Sequence, residues 1–430
     1  MQTTFDAVIV GAGPAGSSAA ILLARAGWSV ALVEKQRFPR RKVCGECIAA
    51  SNLPLIEALG IGEAFAAAAG PELREVALMR AARTVVSPLP AASDARHRWG
   101  RALGRETLDT LLLAQALTAG ASVLQPWSVQ AIEGAAGDYR LTLRAIDSGA
   151  PLGLRTPIVI VAHGSWEPLP SGRSSRRAAR AVGDLFAFKA NFIGASLAEG
   201  LLPVLSFDGG YGGMVVADAG VTTLACCIRR DRLDDCRRAA PAVRLGEAVQ
   251  AWLARECCGV RDALRTARRD GPWLAAGPLA PGIHLNAGSD LLRIGNAAGE
   301  AHPIIGEGMS MALQSAWLLC AQLVGPGPRG SPGNATWHRA VARRYADEWR
   351  RAFTPRLRLA AAFAHLAMRP AAADALMALV QRWPGLLMRG ASGCGKTRSA
   401  VDAATMARLT LGASPALESG ARAGVASRLT

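Results

Sequence analysis

Short, wholly apolar runs alternate along this chain with longer segments whose apolar residues recur at helical spacing. Ala7 to Val10 is a run of buried-strand type; a tight glycine turn follows, then good helix formers from Ser17 to Ala26. Ser29 to Val33 reads as a second strand. Ala77 to Trp99 alternates weakly and carries proline and serine turns, which predicts strand and loop of a second sheet. Gly104 to Gly120 predicts a helix with Leu108, Leu111, Leu112 and Ala116 on one face and Gly120 past its end, followed by a returning strand through Val123 and Val129. Ile158 to Gly164 is another buried strand, returning to the first sheet. Ser171 to Arg180 is basic and loop-like. Phe186 to Ile228 predicts successive strands of the second sheet, with turns at Gly209, Gly210, Gly212 and Gly213. Arg237 to Arg269 is helical and charged. A strand ends at Gly295, and a helix starts near Met309. Gly325 to Asn334 is a linker, Trp337 to Trp383 is helical with interruptions at Pro355 and Pro370, and the last 20 residues fray.

At 430 residues, half of them apolar and 19% charged, the chain can bury a large core in two joined lobes. A net charge of +16 raises nucleic acid as a partner. The distribution excludes it: only four lysines occur (Lys35, Lys42, Lys189, Lys396), and the arginines form no basic stripe interleaved with aromatics. Steering of an anionic cofactor and docking on an anionic membrane surface stay open. No secretory signal precedes the first strand and no run of about 18 apolar residues occurs. Nine cysteines without scaffold spacing fit a reducing cytoplasm.

The glycine turn carries the first chemistry. Gly11, Gly13 and Gly16 spell G-x-G-x-x-G between strand and helix. Gly11 allows the sharp turn, Gly13 lets a pyrophosphate approach the backbone, and Gly16 lets helix and sheet pack closely. The phosphate would sit at the helix N-terminus. Glu34 ends the second strand, 18 residues after Gly16, where a carboxylate accepts hydrogen bonds from a ribose diol. The loop from Phe38 to Ile61 would run back along an extended cofactor; its Cys44 and Cys47 form a C-x-x-C that lacks the context of a redox pair and the further ligands of a zinc site. Arg105 opposes the dipole at its helix start, so a ligand or a carboxylate would hold it there. Pro303, Gly306 and Gly308 shape a loop that can lie against a flat ring, with the helix N-terminus facing negative charge on it. Gly390 to Thr397 matches the P-loop pattern in full, with Lys396 as its lysine, but too little chain follows for a nucleotide-binding domain. A turn is the better reading.

Together these stretches resemble the FAD-dependent oxidoreductases of the para-hydroxybenzoate hydroxylase fold, over roughly Asp6 to Leu323. K-V-C-G at Lys42 to Gly45 and G-E-G-M at Gly306 to Met309 look most like the geranylgeranyl-reductase branch. The resemblance implies an α/β fold: a Rossmann-like FAD-binding domain interleaved with an antiparallel-sheet substrate domain, plus C-terminal helices. The FAD-binding parts would be 1–75, 101–165 and 281–324; the substrate domain 76–100 and 166–280; a helical segment 335–410 and a disordered tail 411–430 would follow. Gly11, Gly13, Pro14, Ala15, Gly16, Glu34 and Lys35 would hold the ADP part, Arg105 the phosphates, and Asn296 the ribityl chain. Pro303, Gly306, Gly308 and Met309 would line the isoalloxazine and substrate, with Cys44 facing both. No metal is implied.

The implied activity is hydroxylation of a hydrophobic, phenolic or polyketide-like molecule through a flavin hydroperoxide. NADH or NADPH, or a separate flavin reductase, would supply electrons. Reduction of prenyl or lipid C=C bonds is the alternative, and a flavin-binding protein without turnover is a third. Two positions depart from the family pattern: His163-Gly164 stands for Asp-Gly, and Gly295-Asn296 for Gly-Asp. The amide oxygen of Asn296 can still accept a hydrogen bond; His163 cannot mimic a carboxylate. The W-x-W-x-I-P signature of flavin-dependent halogenases does not occur.

Overall fold

The computed structural model describes residues 3–165, 181–285, 290–325 and 334–411. The basic stretch Ser171 to Arg180, the interior of the predicted linker and the tail from residue 412 lie outside the described residues.

Five parallel strands form the first sheet, in the spatial order Leu292–Arg293, Ile158–Val161, Ala7–Val10, Val30–Val33 and Ser122–Leu124. Both faces are covered, so these strands are apolar throughout and their alternation appears only in what each residue touches. Ala7, Ile9, Val30, Leu32, Ile158 and Ile160 pack towards the helices Pro14–Arg25, Arg105–Thr118 and Gly308–Leu323. Val8, Ala31, Val33, Val159 and Val161 pack against Tyr139, Leu141 and Leu143 of a separate four-stranded sheet. That sheet contains the hairpin Trp127–Ala135 and Asp138–Ala145 together with Pro151–Thr156. The returning strand predicted through Val123 and Val129 is therefore two strands in two sheets: Val123 extends the parallel sheet and Val129 lies in the hairpin.

A seven-stranded sheet makes the second lobe, in the order Arg268–Ala276, Leu185–Ile193, Thr222–Arg229, Gly210–Val216, Leu201–Phe207, Glu75–Arg80 and Arg83–Pro88. Its helix-covered face buries Phe192, Leu205, Leu224 and Ile228 against Leu233, Val249, Leu253 and Val260. Of the four predicted turn glycines only Gly209 lies in a turn, with φ +68°. Gly210, Gly212 and Gly213 are inside a strand; a Cβ on Gly212 would lie 2.7 Å from the carbonyl oxygen of Ala225 on the neighbouring strand. The charged segment is three helices, Arg230–Ala239, Leu245–Glu256 and Cys258–Leu264, and Arg269 already belongs to the next strand.

Pro355 does not interrupt its helix, which runs unbroken from Ala335 to Ala367. Losing one N–H is outweighed by burial of Trp349, Phe353, Leu357 and Ala360 on both sides of the proline. The chain turns instead before Pro370, by 104° into the helix Pro370–Arg382. Among the described residues no single helix is long and apolar enough to cross a membrane.

Candidate functional site

A cavity of about 690 Å³ opens at the carboxyl ends of the parallel strands and extends beneath the seven-stranded sheet. Strand ends are where turns release backbone N–H groups, so a ligand site here follows from the topology. At one end stand Gly11, Gly13, Pro14, Ala15, Glu34, Lys35 and Arg105; midway stand Cys44, Asn296, Pro303, Gly306, Gly308 and Met309. Val76, Leu78, Leu202, Val204 and Tyr211 form the far, apolar wall.

The three glycines divide their tasks. Gly11 has φ +104°, and a Cβ there would meet Ala162 O at 2.6 Å. A Cβ on Gly16 would stand 1.8 Å from Gly11 O, so this glycine sets the closeness of helix and turn and does not line the cavity. Gly13 is different: its missing Cβ would meet nothing nearer than the Arg105 guanidinium, at 3.5 Å. The gap between Gly13 and Arg105, beside the N-terminus of the Pro14–Arg25 helix, suits a phosphate whose single negative charge is shared by two oxygens.

Glu34 is 6% exposed; it accepts hydrogen bonds from Ala12 N and Gln36 N, both at 2.9 Å. These bonds orient the carboxylate and leave lone pairs for a diol. Arg105 is held by a carboxylate, as its awkward position required. Asp109, fully buried one turn on, takes Nε and Nη2 at 2.7 Å each, and also Arg40 at 3.0 Å. Burial opposes the Arg105 charge, and Asp109 more than offsets it. Asp109 was missed in the sequence although its signal is there, a carboxylate at i+4 from an arginine.

The loop carrying Cys44 is anchored by Glu46, buried and held in the left-handed region at φ +59°. Its carboxylate accepts from Arg105 N at 2.9 Å and pairs with buried Lys189 and Thr223 of the seven-stranded sheet. One side chain thus ties the Cys44 loop, the Arg105 helix and the second lobe together. Burial pushes the Cys44 thiol up, with Arg105 opposing. Cys47 lies in a short strand paired to Arg101–Ala102; neither cysteine is bridged, and among the described residues no cluster suited to a metal occurs.

On the ring side, Gly295 donates to Ser315 Oγ at 2.8 Å and takes φ +59°. Asn296 Nδ2 donates to Ser165 Oγ at 2.9 Å, which turns its oxygen to other donors. His163 follows the Ile158–Val161 strand, with its Cα against Gly11. Pro303–Ile305 forms one tight turn, Gly306 takes φ +64°, and the helix begins at Gly308, where a Cβ would meet nothing within 4 Å. Glu300 and Lys396 also line the cavity and were missed. Burial raises the Glu300 carboxyl. Lys396 comes from the P-loop-like stretch, which begins in the last turn of the helix Gly385–Ser392 instead of after a strand.

Comparison with known proteins agrees with this geometry. Residues 4–173 match the FAD binding domain family. Menaquinone reductase of Mycobacterium tuberculosis is 30% identical over 164 residues, 38% of either chain. The aligned part spans well under half the length of the curated relatives. Among solved structures, a myxobacterial chondrochloren halogenase superposes with TM-score 0.67 at 17% identity, covering 96% of this chain and 97% of its own. Anhydrotetracycline hydroxylase from Streptomyces rimosus superposes with TM-score 0.62 at 18% identity, covering 92% and 76%. The dinucleotide cradle lies within the part of the chain that matches the FAD binding domain family, and the whole chain has the para-hydroxybenzoate hydroxylase fold, the fold also of halogenases, hydroxylases and geranylgeranyl-reductase-like proteins.

Proposed function

We propose that this chain is an FAD-dependent monooxygenase that hydroxylates a hydrophobic, phenolic or polyketide-like small molecule. One observation carries the reading: the cavity runs without interruption from the Gly13–Arg105 gap, past the Pro303–Met309 loop, to an apolar wall. The residues present fit FAD. Gly13, Pro14 and Arg105 would hold its pyrophosphate, Glu34 its ribose, Asn296 its ribityl chain, and the Pro303–Met309 loop its ring. Bound FAD would supply the redox chemistry and the activation of dioxygen. The chain orients and shields: Asp109 holds Arg105 in place, Glu46 fixes the Cys44 loop, and the sheet wall excludes water.

The test supplies the flavin-loaded chain with NADH, NADPH or a separate reductase, labelled dioxygen and a panel of phenols and aromatic polyketides. Label in a product supports hydroxylation. A purified chain without flavin absorbance refutes the whole reading. Bound flavin with no labelled product from any electron source refutes the monooxygenase and leaves the reductase and the flavin-binding protein. Bromide in parallel reactions reads halogenation, the activity named for the myxobacterial neighbour.

A second reading, reduction of C=C bonds in a prenyl or lipid chain, is favoured by Cys44 on the cavity wall and by the likeness to menaquinone reductase. Anaerobic saturation of a prenyl quinone, reduced in a Cys44→Ser variant, would support it. Full activity of that variant would remove Cys44 from the mechanism.

A further inference from the structure

The P-loop-like stretch is a decoy for nucleotides, yet it folds onto the candidate flavin site. Ser51 donates from N to Lys396 O at 3.2 Å and from Oγ to Gly395 O at 2.8 Å. Arg356 donates to Arg398 O at 3.1 Å, and Ala400 N to Gln314 Oε1 at 3.0 Å. Gln314 in turn bonds Asn52 at 2.7 Å, inside the helix that begins at Gly308. The segment 395–401 is therefore anchored against the ring loop by buried polar groups.

This anchoring places Lys396 in the cavity wall, its Nζ 3.1 Å from where a Cβ on Gly306 would stand and 3.9 Å from Cys47 Sγ. The neighbouring carboxylate, Glu307, pairs with Arg356 through Oε2 at 3.2 Å; its Oε1 has no hydrogen-bond partner among the described residues, and Lys396 favours its charge from beyond ion-pair distance. No carboxylate lies within ion-pair distance of Lys396 among the described residues. Arg80, the cation of the far wall, is tied to Asp374 at 3.0 Å. A thiol is a weak acceptor, and an ammonium has three donors. With one thiol as its hydrogen-bond partner, the ammonium keeps donors for an anion arriving in the cavity. Glu307, Arg356, Cys47 and Cys394 are the other titratable groups around it; Glu307 and the two cysteines more than offset burial and hold the lysine above its usual value.

We propose that Lys396 holds an anionic heteroatom at the ring end of the cavity, brought there by the reduced flavin or by an acidic hydroxyl of the substrate. This rests on the cavity being the flavin and substrate site. Two arms separate the sources, both on the FAD-loaded full chain. The first is the midpoint potential of bound FAD in wild type, Lys396→Met and Lys396→Arg. A flavin source predicts a potential at least about 30 mV lower in the methionine variant, a tenfold loss of preference for the reduced form. The arginine variant recovers it. The second arm compares 4-nitrophenolate with its neutral analogue 4-nitroanisole by absorbance titration. A substrate source predicts that wild type favours the phenolate at least tenfold and that Lys396→Met loses this preference. Should the methionine variant fail to fold, Lys396→Gln takes its place in both arms. FAD bound normally, with neither the potential nor the phenolate preference dependent on Lys396, overturns the proposal. Failure of wild type to bind FAD overturns the function itself.

Discussion

The same substitution, glycine to alanine, is expected to act in opposite ways at two positions three residues apart. Gly13 has φ −70° and ψ −176°, a conformation alanine adopts freely, and its Cβ would clear every protein atom by at least 3.5 Å. Glycine is a better helix N-cap than alanine, but alanine loses less chain entropy on folding, so the two effects oppose and the apo protein should stay within about 1 kcal/mol of wild type. That Cβ fills the gap facing Arg105. A pyrophosphate pushed out of it forfeits one or two charge-assisted hydrogen bonds of about 1.5–3 kcal/mol each, and the smaller of these losses already weakens FAD about tenfold. At Gly16 the Cβ would stand 1.8 Å from a backbone oxygen, which must move. Overpacking of this kind costs about 3 kcal/mol or more. Urea unfolding of the apo forms and FAD titration by fluorescence quenching separate the two effects. Wild-type FAD affinity in Gly13→Ala, or equal destabilisation by both substitutions, would refute the division of labour among the glycines.

Asp109→Ala leaves Arg40 and Arg105 without the carboxylate they share, and should destabilise the apo protein by about 3–5 kcal/mol in urea; a loss under 1 kcal/mol would contradict the buried triad. Glu46→Gln strands the Lys189 ammonium in the interior at a similar cost, about 3–5 kcal/mol, whereas Glu46→Gln with Lys189→Met should recover most of it; equal stabilities of single and double variants would sink this account. Burial and, secondarily, His365 lower His302 from 6.5 to about 4, so the folded state favours the neutral ring. Its contribution is full above pH 6.5 and is lost as pH falls towards 4. Screening at this half-buried site reduces the loss to about 1–3 kcal/mol, and His302→Asn should flatten the stability profile across that window by this amount. An unchanged slope in the variant would assign the acid sensitivity elsewhere.

What could be read in advance was local. The dinucleotide turn, Glu34 and the Gly306–Met309 loop are legible because each needs particular backbone freedom or charge at fixed spacing. The hairpin was missed although Tyr139, Leu141 and Leu143 alternate with polar residues, and their neighbours give no hint that they roof the parallel sheet. Glu46 and Lys189 meet across 143 positions, and nothing near either residue announces the other. Pro355 reads as a break because proline removes a donor, a rule that tertiary burial of Trp349 and Phe353 overrides here. Lys396 sits inside the one motif whose usual meaning fails, so discarding the motif also discarded the residue.

The pinning of Gly395 to Ser51 has a consequence for synthesis of the chain. The contact joins residues 344 positions apart, and the strand Leu292–Arg293 joins the central sheet late as well. An emerging chain has synthesised its Gly11–Gly16 turn, then Arg105 and then the Ile158–Val161 strand beside it, before the ring loop and its backing exist. At about 5–20 residues per second, the roughly 380 positions from Gly16 to Gly395 take on the order of 20–80 seconds to emerge. During that interval the nascent protein presents a phosphate-binding turn with an unfinished floor. A ring site completed by residues 394–401 would therefore close last, which would make cofactor loading a closing event of biosynthesis rather than a nucleus for it.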